Sequence, residues 1–398
     1  MRKDLVNRLL NIYTYLSLAL ILGILSAKVV EKVKFPHVTG YIIIGLIAGP
    51  YCLNILTLDA VEKFAIIPDI ALGVIAFSIG AEFKMSYLKI VGKAPVIIAF
   101  AEAVCAVLVV DLVLILTGND VSFSLVLGAI AAATAPAATL MVVRQYNAKG
   151  PVTSTLLPVV AIDDAIALMC FGLSVALAKS IGSSGDVSIL MTLIDPLIEI
   201  IGSLLFGAVA GIILKFMIAW YTGNGSRLTI ALAMIFLCIG ISNLAGLSSL
   251  LVCMVMGAVF TNISKYSDET FKNVDNITHP LFLLFFVISG AELDLTVLPS
   301  VGFIGLIYVI FRVVGKVLGA SIGAKASKAE PVVTKYLGFT LLPQAGVAIG
   351  LAGIATSIVP EYGLKIQTII LCGTIIYELI GPLVTKLALT KAGEIKQN

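Results

Sequence analysis

Apolar positions along this chain fall into long unbroken runs, cut by short polar or Gly/Pro-rich links, rather than into the polar and apolar stripes of a surface helix. A helix needs roughly 17–25 such residues to cross the hydrocarbon layer of a bilayer. About thirteen segments qualify: 10–30, 38–54, 64–83, 92–117, 121–144, 151–179, 190–221, 226–244, 247–263, 273–292, 297–325, 331–358 and 363–390. The pattern predicts an all-α polytopic membrane protein. The first run follows a few basic residues, yet it is long enough to span and lacks a convincing cleavage context, so it reads as a helix rather than a signal peptide. Links are short, so one membrane domain, residues 1–398, accounts for the sequence.

Composition agrees and narrows the class. The chain is 60% hydrophobic and only 12% charged, about half the charge of a typical soluble domain. A net charge of +3 spread along the chain argues against nucleic acid as a partner. Cys52, Cys105, Cys170, Cys238, Cys253 and Cys372 lack metal-site spacing and read as small apolar packers. Basic residues mark orientation, because Lys and Arg near segment ends stay on the cytoplasmic side. Roughly eighteen of them sit in the links after odd-numbered segments and in the tail, against roughly six on the other side. The N-terminus is therefore expected outside, and the C-terminus in the cytoplasm of a cell with this protein in its inner (cell) membrane.

The chain also repeats itself. SIGAEF, ending in the third segment with Gly80, Ala81 and Glu82, matches ISGAEL, with Gly290, Ala291 and Glu292. The same offset of 210 residues aligns LGAIAAATAPAATLMVV, from Leu127, with LGFTLLPQAGVAIGLAG, from Leu337. About seven spans, an odd number, fit in that interval, so the second copy enters the membrane in the opposite sense. Inverted repeats of this kind are a feature of secondary transporters. The expected division is a first repeat over 1–185, a linker helix over 186–225 and a second repeat over 226–398.

In each copy the fifth element is interrupted, at TAPAAT (Thr134 to Thr139) and at LPQAG (Leu342 to Gly346). Proline removes a backbone donor, and unwound backbone at membrane depth is tolerated only where it lines a polar cavity or is buried in protein. Two crossed discontinuous helices are predicted, with Ala135 and Pro136 in one break and Pro343, Gln344, Ala345 and Gly346 in the other; Thr134 offers a hydroxyl beside them. The helix after the first break carries Asp163 and Asp164 inside a long apolar run. A carboxylate at a bilayer centre costs roughly 2.5–3.5 kcal/mol on insertion scales, so two in succession point to function.

Consecutive helical residues point about 100° apart, so one aspartate can face the cavity while the other meets a partner on a neighbouring helix. Lys316, in FRVVGKVLGASIGA, is the best-matched partner, with Arg312 one turn before it. Both carboxylates do not ionise readily together in a low-dielectric site, so a cation and protons compete for them. A site that holds either but not both is the minimal device for exchanging one for the other. Glu378, in YELIGP, and Glu102, in FAEAVCAV, read as structural charges, with Arg312 and Glu378 as an expected ion pair. His37 and His279 adjoin prolines near segment ends and read as interfacial.

On the TAPAAT break, the paired aspartates in AIDDA, the GKVLG lysine and the LPQAG break, the chain resembles the monovalent cation:proton antiporter superfamily, on its second, bacterial-type branch. The likeness covers nearly the whole length, with GAEF and YELIGP as weaker supports. The resemblance implies that Asp164 binds the cation, with Asp163 preceding it and paired to Lys316. It also implies segments 4–6 and 11–13 as a moving core, segments 1–3 and 8–10 as a dimerising scaffold, and electrogenic exchange of one Na⁺ or Li⁺ for two protons. A K⁺/H⁺ antiporter and a sodium-coupled organic anion symporter are the alternatives. An intramembrane aspartyl protease, which also uses two aspartates, needs them on separate helices, so an enzyme is not expected. No cofactor is expected beyond the transported ions, and the partners are lipid and a second copy of the chain.

Overall fold

The pairing of apolar runs with short polar links gives helices alone among the described residues of this computed structural model, which are 11–64, 66–85, 92–182, 189–221, 223–293 and 302–395. In chain order they are α1 (Ile12–Lys32), α2 (His37–Ala48), α3 (Leu58–Lys63), α4 (Ile66–Gly80), α5 (Ala94–Leu116), α6 (Val121–Ile130), α7 (Pro136–Gln145) and α8 (Pro151–Gly182). There follow α9 (Ile189–Trp220), α10 (Asn224–Ala245), α11 (Ser249–Ile263), α12 (Ser267–Glu292), α13 (Gly302–Ala326), α14 (Pro331–Tyr336), a 3₁₀ turn (Leu337–Thr340), α15 (Gly346–Ile358) and α16 (Pro360–Lys391). Each predicted segment holds helix. Eight described helices are long and apolar enough to cross a membrane, and α2, α4, α6 and α11 are shorter apolar helices of 10–17 residues.

Two groups of helices form. α13 lies along α5, and α5, α6 and α8 pack on one another, with α15 and α16 beside them. In the second group α12 packs on α2 and α4, and α11 on α4 and α9. The closest crossings in this second group occur in two matching pairs. A Cβ on Gly45 would stand 2.1 Å from the Val287 carbonyl oxygen, and one on Gly257 would stand 2.2 Å from that of Phe77. Phe77 and Val287 are 210 residues apart, the interval of the sequence repeat, so α2 on α12 and α11 on α4 are counterparts. Without a hydrophobic drive between helices in lipid, such backbone approach supplies the packing.

The helix that carries the aspartates is tied down from the far end of the chain. Its N-terminal amides have no local side-chain acceptor, because Gly150 precedes Pro151. Glu394, buried just past the end of α16, takes that place: its carboxylate accepts from the Val152 amide, from the Thr153 amide at 2.8 Å and from the Thr153 hydroxyl at 2.6 Å. A Cβ on Gly150 would stand 2.6 Å from the Glu394 carboxyl, so the glycine makes room for it. A carboxylate at a helix N-terminus satisfies orphan donors and complements the helix dipole. Glu394→Ala is expected to remove about 1–2 kcal/mol of stability, read as a lower melting temperature in detergent, with Glu394→Gln in between; equal melting of Glu394→Ala and wild type would show that the cap is idle.

Candidate ion-binding site

The centre is built first by small residues. Gly315, Gly319 and Gly323 recur every fourth residue on one side of α13. A Cβ on them would come within 2.6–2.8 Å of the Cα atoms of Ala106, Glu102 and Ile98 on α5. That stripe lets the two backbones touch, which sets Glu102 of α5 directly against Lys316 of α13.

Between α6 and α7 the chain is unwound over residues 131–135, and between the 3₁₀ turn and α15 over 341–345. The two breaks cross, with the Ala135 amide donating to the Pro343 carbonyl at 2.8 Å and the Thr139 hydroxyl to the Thr340 carbonyl at 2.9 Å. Pro136 and Gly346 do not lie in the unwound stretches where the sequence reading put them; each is the first residue of a second half-helix. For Pro136 the reason is that proline lacks only an amide that the first helical turn leaves unpaired anyway. Gln344 is buried in the second break, donating to the Ile130 carbonyl at 3.0 Å and to the Tyr308 hydroxyl at 2.9 Å.

Arg312 stitches the breaks together. Fully buried, it donates to the carbonyls of Ala131 at 3.1 Å and Ala133 at 2.7 Å in the first break and of Leu342 at 2.8 Å in the second. Its guanidinium also lies 4.4 Å from the ring centroid of Tyr377. The expected ion pair of Arg312 with Glu378 is absent: Arg312 spends its donors on bare carbonyls, and one oxygen of the buried Glu378 has no hydrogen bond. The physical reason is that unwound backbone presents acceptors that must be met, and a rigid fork of five donors meets several at once.

One turn on, Lys316 is equally buried and surrounded by oxygens. Its Nζ donates to Asp163 Oδ2 at 3.1 Å, to Thr134 Oγ1 at 2.6 Å and to the Ala132 carbonyl, and stands 2.8 Å from Glu102 Oε2. Glu102 and Asp163 are both fully buried. The structure thus brings together Asp163, Thr134, Lys316 and the first break. Asp164 follows on the same helix α8, but its side chain is outside the described residues. Glu102 is the residue the sequence reading left out of this cluster. Its signal was the glycine stripe beginning beside Lys316, which marks the face of α13 that a neighbouring helix must approach.

Away from this centre, His37 and His279 line one cavity of about 440 Å³ with Arg144, Gln145 and Asp275. Arg144 pairs with Asp275 at 3.1 Å, and the His37 amide donates to the Gln145 side-chain oxygen at 2.7 Å. These contacts join α7 to the helices of the second group.

A family model described as the transmembrane sodium/hydrogen exchanger matches residues 16–391. The chain belongs to the sodium/hydrogen exchanger family. Among relatives of this exchanger is Na(+)/H(+) antiporter 1 of Methanocaldococcus jannaschii, 28% identical over 339 residues, covering 79% of this chain and 76% of the relative. Another is the Na(+)/H(+) antiporter of Enterococcus hirae, 24% identical over 93% of this chain and 97% of the relative. The structure of the sodium proton antiporter MjNhaP1 from M. jannaschii at pH 8 superposes with a TM-score of 0.71 at 23% identity, over 96% of both chains. That likeness establishes the fold of this exchanger.

Proposed function

We propose that this exchanger carries a monovalent cation, Na⁺ or Li⁺, across the membrane in exchange for protons. The observation that carries the reading is the buried pair of Lys316 and Asp163 at the crossing of two interrupted helices, next in sequence to Asp164. A lysine held on one aspartate leaves the other to gather a cation or a proton. The full set of ligands forms when Asp163 turns from Lys316 to the cation. Thr134 contributes its hydroxyl and the first break its carbonyls. The names of the two antiporter relatives support Na⁺ and protons as the substrates.

Alternating access follows from energetics. An empty, ionised acid pair is expensive to carry through an apolar barrier, so the loaded states, with cation or with protons, are the ones that move. The group formed by α5–α8 and α13–α16 is the candidate for the moving body, sliding as an elevator against a scaffold that dimerises in the cell membrane. The transported ions are the only small partners the reading requires, and its charge count is electrogenic.

The test is a Na⁺ gradient imposed across proteoliposomes holding the purified protein, with internal pH followed by a dye. Sodium entering the lumen drives protons out of it, and the rate increases with pH until proton supply limits it, because protons and cation compete for one site. A cation flux that is independent of pH and moves no protons would overturn the reading.

A further inference from the structure

Lys316 has more partners than it has protons. An ammonium offers three donors, and here they go to Asp163, Thr134 and the Ala132 carbonyl. Glu102 is the fourth oxygen neighbour and already pairs with the ammonium, its Oε2 at 2.8 Å against 3.1 Å for Asp163, while its Oε1 is buried without a hydrogen bond. Asp163 Oδ1 is likewise buried without one. Glu102 is fully enclosed, on a helix held against α13 by the glycine stripe, so it cannot turn away to water. A static anchor for Lys316 would not need two buried carboxyls, because either alone neutralises the lysine and the second is costly to bury.

We propose that Glu102 is a positioning residue of the exchange cycle: the partner that keeps Lys316 when Asp163 turns to the transported cation. The inference rests on the exchange reading above. While the site is without cation, Lys316 bonds Asp163. For a cation to use both aspartates, Lys316 must let go of Asp163, and a buried ammonium released without an anion would be prohibitive. Glu102 already holds the lysine, so the ammonium keeps an anion when Asp163 leaves it. Without Glu102 the lysine stays on Asp163, and the cation must displace it unaided.

The test is a double-mutant cycle on Na⁺-driven proton movement in proteoliposomes, with Glu102→Gln, Lys316→Gln and the double variant. Glu102→Gln is expected to raise the half-saturating Na⁺ concentration about tenfold, the lower end of coupling between close charge pairs, with the maximal rate near that of wild type. In the Lys316→Gln background the same substitution changes half-saturation little, because the lysine it serves is gone. Glu102→Asp restores part of the wild-type affinity. Na⁺-induced thermal stabilisation of the detergent-solubilised variants gives the same comparison where a variant transports too slowly to measure. An equal loss of affinity from Glu102→Gln with and without Lys316, or unchanged half-saturation in the single variant, would overturn the proposal while leaving exchange intact. Absence of exchange in wild type would remove both readings.

Discussion

Asp164→Asn abolishes cation-coupled proton movement, while the protein still folds and still melts close to wild type. The expectation comes from counting charges at the crossing. Lys316 is paired with Asp163 and Glu102, so in the proposed exchange Asp164 is the aspartate left to draw a cation inward. An amide there leaves the cation with hydroxyl and carbonyl dipoles and with Asp163 alone, which Lys316 also claims. Losing a buried charge partner is worth about 3–5 kcal/mol, which is on the order of two to three decades in affinity. Exchange should fall to the level of empty vesicles at any practical Na⁺ concentration. Asp163→Asn provides the contrast: Lys316 keeps Glu102, so no unpaired ammonium is stranded and the fold survives, yet the cation loses one of its two ligands. Exchange at the wild-type rate in the Asp164→Asn protein would refute the assignment of the site.

Arg312→Met, by comparison, should destroy the fold around the site rather than its chemistry. Three carbonyls in two unwound stretches accept from this one side chain. Each buried carbonyl stripped of its donor costs about 1–3 kcal/mol, so the total loss is on the order of several kcal/mol, well above the effect of most single substitutions. The variant should be recovered in low yield and melt far below wild type. Arg312→Lys should rescue only part, because a point-like ammonium cannot fork across both breaks or stack on Tyr377. Size-exclusion profiles and melting curves measure this without any transport assay. A well-folded Arg312→Met protein of normal melting temperature would show that water, not the guanidinium, meets those carbonyls.

How much of this was legible follows from the range of each interaction. Membrane class and the helix positions depend on residues adjacent in sequence, and each predicted segment holds helix. The placement of the breaks was a local matter too, apart from Pro136 and Gly346, which begin half-helices instead of interrupting them. That Lys316 needs an acid could be argued from its apolar surroundings alone. That it has two could not, since the second comes from α5, more than two hundred residues earlier, and reaches it only because a stripe of glycines brings two backbones into contact.

Arg312 shows the complementary failure. An arginine in an apolar segment suggests a carboxylate partner, and Glu378 was the available choice in sequence. The competing acceptors were backbone carbonyls, identical in every residue and therefore invisible as a motif; they become strong partners only where helices unwind beside them. Glu394, at the end of the chain, belongs to the same category. Its role as a cap for α8 depends on the chain's return to Gly150, not on any pattern around Glu394 itself.

Composition and periodicity by themselves determined that this chain lives in a membrane, where its helices start and break, and that two adjacent acids lie in one of them, because the free energy of transfer to lipid acts residue by residue. Tertiary structure alone decided which buried charge faces which: Glu102 on Lys316, Arg312 on the unwound carbonyls, and His37 and His279 in one cavity. Those choices turn on the separation of helix axes to within an ångström or two, and that separation is set by small residues meeting across helices far apart in sequence.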